Sequence, residues 1–334
     1  MENITLAHGS GGKKMVSLIE DLFLKNFNNH NLPQGNDFTS FDVSEGRMAI
    51  STDSYVISPL IFPGGDIGSL AVHGTVNDVS MSGAKPLYLS ASFIIEEGLD
   101  RKVLEQIVIS MGQASRNAGV PIITGDTKVV ERGKADGLFI TTTGIGQIPT
   151  NLNISGSNAR PGDKVIISGS IGDHGMAILS FREGLSFETT LISDSAPLNS
   201  LIALMTEFFP EIHCLRDPTR GGLAACLNEL AFQSKVGIKI YEENIPIKLQ
   251  VQSACELLGL DPLNVANEGK LVAICPAEIA DDLVKTMRSH PRGIDAQIIG
   301  EVLGDFSENV FMQTSFGGQR KVSWPESEQL PRIC

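Results

Sequence analysis

At 334 residues the chain is longer than one hydrophobic core usually organises, and with 42% apolar residues it predicts two domains. Lys plus Arg number 26 against 39 Asp plus Glu, giving 26 − 39 = −13, a charge that disfavours nonspecific binding to nucleic acid or anionic lipid. The longest apolar runs fall short of the roughly 20 residues of a membrane span. The opening MENITLAHGSGGKK lacks a basic segment followed by an apolar one, so a cytoplasmic protein with no membrane partner is expected.

In chain order, HGSGGKK (residues 8–14) places three glycines beside two lysines, a composition able to wrap backbone N–H groups around phosphate, although a simple flexible tip reads the same way. Residues 47–57 predict a strand that carries Asp53 towards its end. Residues 69–83 predict a helix bearing Asn77 and Asp78 and closed by Gly83. A strand over 87–97 precedes a helix over 100–119, where Val103, Leu104, Ile107, Val108 and Met111 fall on one face behind an Asp100 N-cap. Strands follow over 121–130, which carries Gly125, Asp126 and Thr127, and over 137–148. Taken singly, each aspartate reads as a cap or turn residue. Their recurrence at element ends suits magnesium, which bridges carboxylates to nucleotide phosphates.

The Asn, Ser, Gly and Pro of residues 149–163 mark a domain boundary. Beyond it the pattern predicts a strand over 164–172, helices over 175–182, 198–209 and 222–234, and a strand over 236–242. A helix over 249–258, a strand over 270–276, a helix over 277–290 and a strand over 295–304 complete it. RDPTRGGL (216–223) is a polar turn entering a helix, and NEGK (267–270) a turn before a strand. His73 and His174 show no metal-ligand spacing and read as structural or without an assigned role.

Five cysteines, odd in number, widely spaced and without CxxC, argue against a disulfide framework and a structural zinc site. Cys214, Cys226, Cys255 and Cys275 have the character of buried small hydrophobes, the last three lying among apolar neighbours. Cys334 ends PESEQLPRIC, a stretch with little apolar mass that predicts a flexible tail able to reach on the order of 33 Å.

The ordered set HGSGG, STDSYV, VNDVSMSGAKP, ITGDTKV, DPTRGGL, NEGK and PRIC resembles the HypE family of hydrogenase expression/formation proteins, in the PurM-like superfamily of aminoimidazole ribonucleotide synthetase, over essentially the whole chain. The resemblance implies an α+β, two-domain PurM-like fold. Residues 1–155 would form an ATP-binding domain whose four-stranded sheet pairs across a homodimer into a β-barrel, residues 156–323 an α/β layered domain, and residues 324–334 the tail. It implies ATP near His8, Ser10, Gly11 and Gly12, with Asn77, Gly125 and Thr127 also at the nucleotide, magnesium on Asp53, Asp78 and Asp126, and proton handling by Lys134 and Glu268. The implied reaction is ATP-dependent dehydration of a carbamoyl group on Cys334 to a thiocyanate, with a HypF-like carbamoyltransferase upstream and a HypC–HypD-like scaffold receiving cyanide for nickel–iron hydrogenase. A selenophosphate synthetase would carry a reactive Cys near its N-terminus, absent from the first 200 residues; a purine synthetase would not need the terminal Cys; a nucleotide-binding adaptor would show no turnover.

Overall fold

Asp66 opens the helix around which the first half is built. Its side chain accepts from the backbone N–H groups of Gly68 and Ser69, while the Ser69 hydroxyl accepts from the Asp66 N–H, a reciprocal capping box. In the computed structural model the described residues are 3–8, 13–27, 45–185, 191–305, 308–324, 330 and 332–334. Ser10, Gly11 and Gly12 lie outside them.

The chain begins with a helical segment made of α1 (Lys13–Leu18), a π-helical turn (Ile19–Leu24) and α2 (Lys25–Phe27). Strand β1 (Arg47–Tyr55) and the short pair β2 (Ile61–Phe62) and β3 (Gly65–Asp66) lead into α3 (Ile67–Ser80). Then come β4 (Lys85–Glu96), α4 (Arg101–Ala118), β5 (Ile122–Val130) and β6 (Leu138–Ile148). The sheet order is β1-β6-β4-β5, antiparallel except for the parallel pair β4–β5. Helix α3 is apolar on nearly all sides and is buried accordingly, lying on one face of this sheet and against α4. Helix α4 turns Leu104, Ile107, Val108 and Met111 inward, as its spacing predicts, and ends at Gly119 in the left-handed conformation.

The other face of the sheet is open. Met48, Ile50 and Ile94 are exposed there, at 40%, 72% and 41%, so among the described residues the single chain holds an open four-stranded sheet and no closed barrel.

The second half contains β7 (Lys164–Ile167), α5 (Asp173–Arg182), α6 (Asn199–Phe208), β8 (Cys214–Arg216), α7 (Gly222–Ser234), β9 (Gly237–Tyr241), α8 (Leu249–Leu258), β10 (Val272–Cys275), α9 (Ala277–Arg288), β11 (Gln297–Leu303), β12 (Val310–Gln313) and β13 (Gln319–Val322). Its seven-stranded sheet runs β13-β12-β9-β11-β7-β10-β8. Strands β7 and β10 are apolar at successive positions because both faces are covered. Val165, Ile167, Val272 and Ile274 meet α7 in one core, while Ile166, Ala273 and Cys275 meet α6 and α9 in another. Strands β8, β12 and β13 and the pair β2–β3 were not predicted from the sequence; all are two to four residues long, too short to show a period.

The described end of the tail packs into the core of the first half. Leu330 and Ile333 are buried in the cluster that also holds residues of α3, α4, α5 and α8.

Candidate active site

Strand β1, helix α3, the β8–α7 turn, the turn before β10 and the end of the chain converge on a cavity of about 210 Å³. It is lined by Thr52, Asp53, Gly74, Asp78, Arg216, Asp217, Thr219, Arg220, Glu268 and Cys334. The local reasons are simple. Alternation along β1 aims Asp53 at the face that α3 covers, since Asp53 pairs with Thr142, whose hydroxyl bonds to Thr75 and the Ala71 carbonyl of α3. Asp78, one turn beyond Gly74 on α3, accepts from Ser51 Oγ at 2.9 Å. The β8–α7 turn approaches other backbone too closely for a side chain at Gly222: at φ 60, a Cβ there would stand 2.6 Å from the carbonyl oxygens of Leu263 and Val265.

Four carboxylates against two guanidinium groups set the electrostatics. Burial and neighbouring Asp53 raise Asp78, and burial together with Asp78 raises Asp217. Glu268, only 3% exposed, is driven well above the carboxylate range by burial and then by Asp217, Asp194, Asp53 and Asp78. Arg220 reaches Asp53 at 3.8 Å, and its own proton is held more firmly by the charge on Cys334. Such a site takes up cations or protons readily, and its arginines can face phosphate oxygens.

Glu268 is held from behind. Buried Asp194 accepts from the N–H groups of Glu268 (3.1 Å) and Gly269 (3.3 Å) and from Lys270 Nζ (3.0 Å). Burial pushes Asp194 up, but Lys270 and the Glu268 N–H outweigh it and leave its carboxyl below the ordinary value.

The residues expected at the site separate. Asp53, Asp78, Glu268 and Cys334 meet in the cavity. Asp126 does not: it aligns with Ser92, Thr141 and Ser54, on the sheet face opposite Asp53, and its half-exposed carboxylate pairs with Lys128 at 2.8 Å. The magnesium trio is therefore divided between two faces in one chain, because a two-residue period decides the face and a motif read without register does not. Among the described residues no three His, Cys, Asp or Glu side chains are grouped to hold a metal by themselves.

Lys134 is exposed in the β5–β6 loop and does not line the cavity. His8 is buried, with Nδ1 engaged by Thr5, and is likewise outside the lining. Asn77, expected at the nucleotide, instead bonds the Ala196 carbonyl (3.0 Å), the Leu198 N–H (2.8 Å) and the Glu268 carbonyl (3.4 Å). Gly125 permits close strand contact, as a Cβ would fall 2.3 Å from the Ala91 carbonyl oxygen; Thr127 is buried beside it. Thr52, Gly74, Arg216, Asp217, Thr219 and Arg220 were not assigned to the site from sequence, although RDPTRGGL signalled a polar turn at a helix start.

Residues 35–148 match the N-terminal domain of the AIR synthase related proteins and residues 160–313 their C-terminal domain. Carbamoyl dehydratase HypE of Azotobacter vinelandii is 59% identical over 332 residues, 99% of this chain and 97% of that protein. The chain belongs to the HypE family. A solved HypE in complex with ATP has a TM-score of 0.96 at 52% identity, over 99% of each chain. The HypE of a HypE–HypF complex gives 0.82 at 50% identity, over 92% of this chain and 100% of that one. In this HypE-family chain, the last residue therefore sits in a carboxylate- and arginine-lined cavity between the two family domains.

Proposed function

We propose that the protein is an ATP-dependent carbamoyl dehydratase that acts on its own Cys334, converting an S-carbamoyl group into a thiocyanate that supplies cyanide for the iron of nickel–iron hydrogenase. The observation that carries this reading is the shared cavity of Cys334, Glu268 and the carboxylate–arginine cluster. The C–O bond of the carbamoyl group breaks, two N–H protons leave and a C≡N bond forms. Nucleotide supplies the phosphoryl group that makes the oxygen a competent leaving group. Arg216 and Arg220 offset charge developing on that oxygen, and the Glu268 carboxylate, whose proton affinity is raised, accepts a proton from nitrogen.

Asp53, Asp78 and Asp217 supply hard oxygen donors, the chemistry magnesium requires. With no closed cluster of three among the described residues, such an ion would complete its shell with phosphate oxygens and water. Two copies pair through the open sheet face bearing Met48, Ile50 and Ile94, and Asp126 on that face would join a nucleotide site only in the dimer. Lys134 is given no part in the Cys334 cavity. A HypF carbamoyltransferase loads the thiol and a HypC–HypD scaffold receives the cyanide, in the cytoplasm. No helix among the described residues is long and apolar enough to cross a membrane.

The test is intact mass spectrometry of the tail after incubation with the carbamoyltransferase, carbamoyl phosphate and ATP. Loss of one water from carbamoylated Cys334 is expected; a carbamoyl group that persists beside ATP and magnesium overturns the proposal.

A further inference from the structure

We propose that His174 is a positioning residue that docks the tail by reading its backbone, so that Cys334 reaches the cavity whatever group its sulfur carries. The inference rests on the role given to Cys334 above. His174 is fully buried on α5, with Nε2 2.8 Å from the Ile333 carbonyl oxygen and Nδ1 2.7 Å from Ser193 Oγ. A carbonyl only accepts, so Nε2 carries the proton and Nδ1 accepts from the Ser193 hydroxyl. Ser193 Oγ in turn accepts from the Ser195 N–H at 3.1 Å, which gives the chain one direction, from Ser195 through Ser193 and His174 to Ile333. The ring lies edge-on to Phe62 at 5.7 Å, and burial lowers its pKa, keeping it neutral despite Asp194.

The neighbouring contacts read backbone as well. Val56 N–H donates to the Cys334 oxygen and Ser58 N–H to that of Arg332, each at 3.2 Å, so the tail pairs antiparallel to the chain leaving β1. Arg182 Nη2 bridges the carbonyls of Ser58 (2.6 Å) and Arg332 (2.9 Å). Arg332 Nε donates to the Val56 carbonyl, and its guanidinium pairs with Asp136. Together these hold Arg332 at φ 56, a left-handed conformation that an arginine adopts only when its surroundings impose it. Beside these backbone contacts, the Arg332 side chain and the apolar bodies of Leu330 and Ile333 hold the tail, with Cys334 packed at the edge of the same cluster, and none of these hydrogen bonds uses the sulfur. The dock would therefore accept thiol, thiocarbamate and thiocyanate alike.

The experiment measures the rate at which a bulky maleimide, too large for the cavity, labels Cys334 in the full-length protein and in His174→Gln, His174→Asn and His174→Ala. The other four cysteines are buried, with thiols raised by burial, and stay unlabelled in the folded chain. Glutamine can donate from near the Nε2 position and asparagine cannot. Labelling is expected to rise about five-fold in the Asn and Ala variants, the change expected from one lost hydrogen bond, and to stay near the parent rate in the Gln variant. Unchanged labelling in Asn and Ala, or equal acceleration in all three, overturns the proposal. If the His174 variants fold poorly, Arg182→Gln at the half-exposed end of α5 carries the test: faster labelling supports the dock and an unchanged rate refutes it. Labelling needs neither nucleotide nor carbamoylation, so failure of the dehydration reaction is read separately.

Discussion

Asn77 and Glu268 are tied together across the two halves of the molecule, the Asn77 amide donating to the Glu268 carbonyl oxygen at 3.4 Å while its own oxygen accepts from the Leu198 N–H at 2.8 Å. An asparagine that the sequence places beside a magnesium ligand thus serves as a clamp that fixes the backbone of the proposed base. Asn77→Ala leaves buried backbone groups of Ala196, Leu198 and Glu268 short of a partner, at a cost of about 1–3 kcal/mol. Urea denaturation should show that loss, with slower dehydration alongside. Unaltered stability in the variant would remove the clamp from the account.

Cys334→Ser should leave unfolding and nucleotide binding unchanged, because the dock engages the main chain of residues 332–334. Thiocyanate formation should vanish, since an oxygen replaces the sulfur nucleophile. Mass spectrometry of the tail after incubation decides it, and a cyanated product on the variant would be fatal to the assignment.

Asp78 and Asp217 have folded-state pKa values raised to about 6 and about 7, above those of the unfolded chain. Their stabilising contribution is therefore fully present below the ordinary carboxylate range and is lost as pH rises through those values. Without nucleotide or metal, the melting temperature should fall between about pH 4 and pH 8 by an amount equivalent to roughly 3 to 4 kcal/mol for each group taken alone. Asp217→Asn should flatten part of that fall and melt higher than the parent at pH 8. Parallel melting curves for parent and variant across this range would contradict the electrostatic picture.

Lys270 neutralises buried Asp194, which also holds the turn carrying Glu268. Lys270→Met strands that carboxylate and should cost about 3–5 kcal/mol by chemical denaturation. The double variant with Asp194→Asn should recover much of the loss. A single variant as stable as the parent would show that the pair carries no such coupling.

Glu268→Gln removes the proposed proton acceptor while keeping its shape. Dehydration of carbamoylated Cys334 should fall at least about 100-fold, the range for general base assistance, with nucleotide affinity little changed. A rate within a few-fold of the parent would move the base elsewhere.

Much of the fold was legible because long elements carry their own period. Helix α4 shows its core face in Val103, Leu104, Ile107, Val108 and Met111. The short strands β12 and β13 left no such trace, since four residues cannot establish alternation. Among the residues that line the cavity, Asp53, Asp78, Glu268 and Cys334 are named as candidates by motif order. Arg216, Asp217 and Arg220 were passed over because, along the chain, they read as the entry to α7.

The sequence by itself carried the family, the helical and strand content of the longer elements and the acidic and sulfur-bearing candidates for the chemistry, because each is written in residue type, period or order. Tertiary structure alone decided which of those residues meet. It put Asp126 on the opposite sheet face from Asp53, turned Asn77 inward as a clamp, and gave His174 the tail to hold. Strand register and the packing of distant segments fix those distances, and neither is encoded in any local stretch of chain.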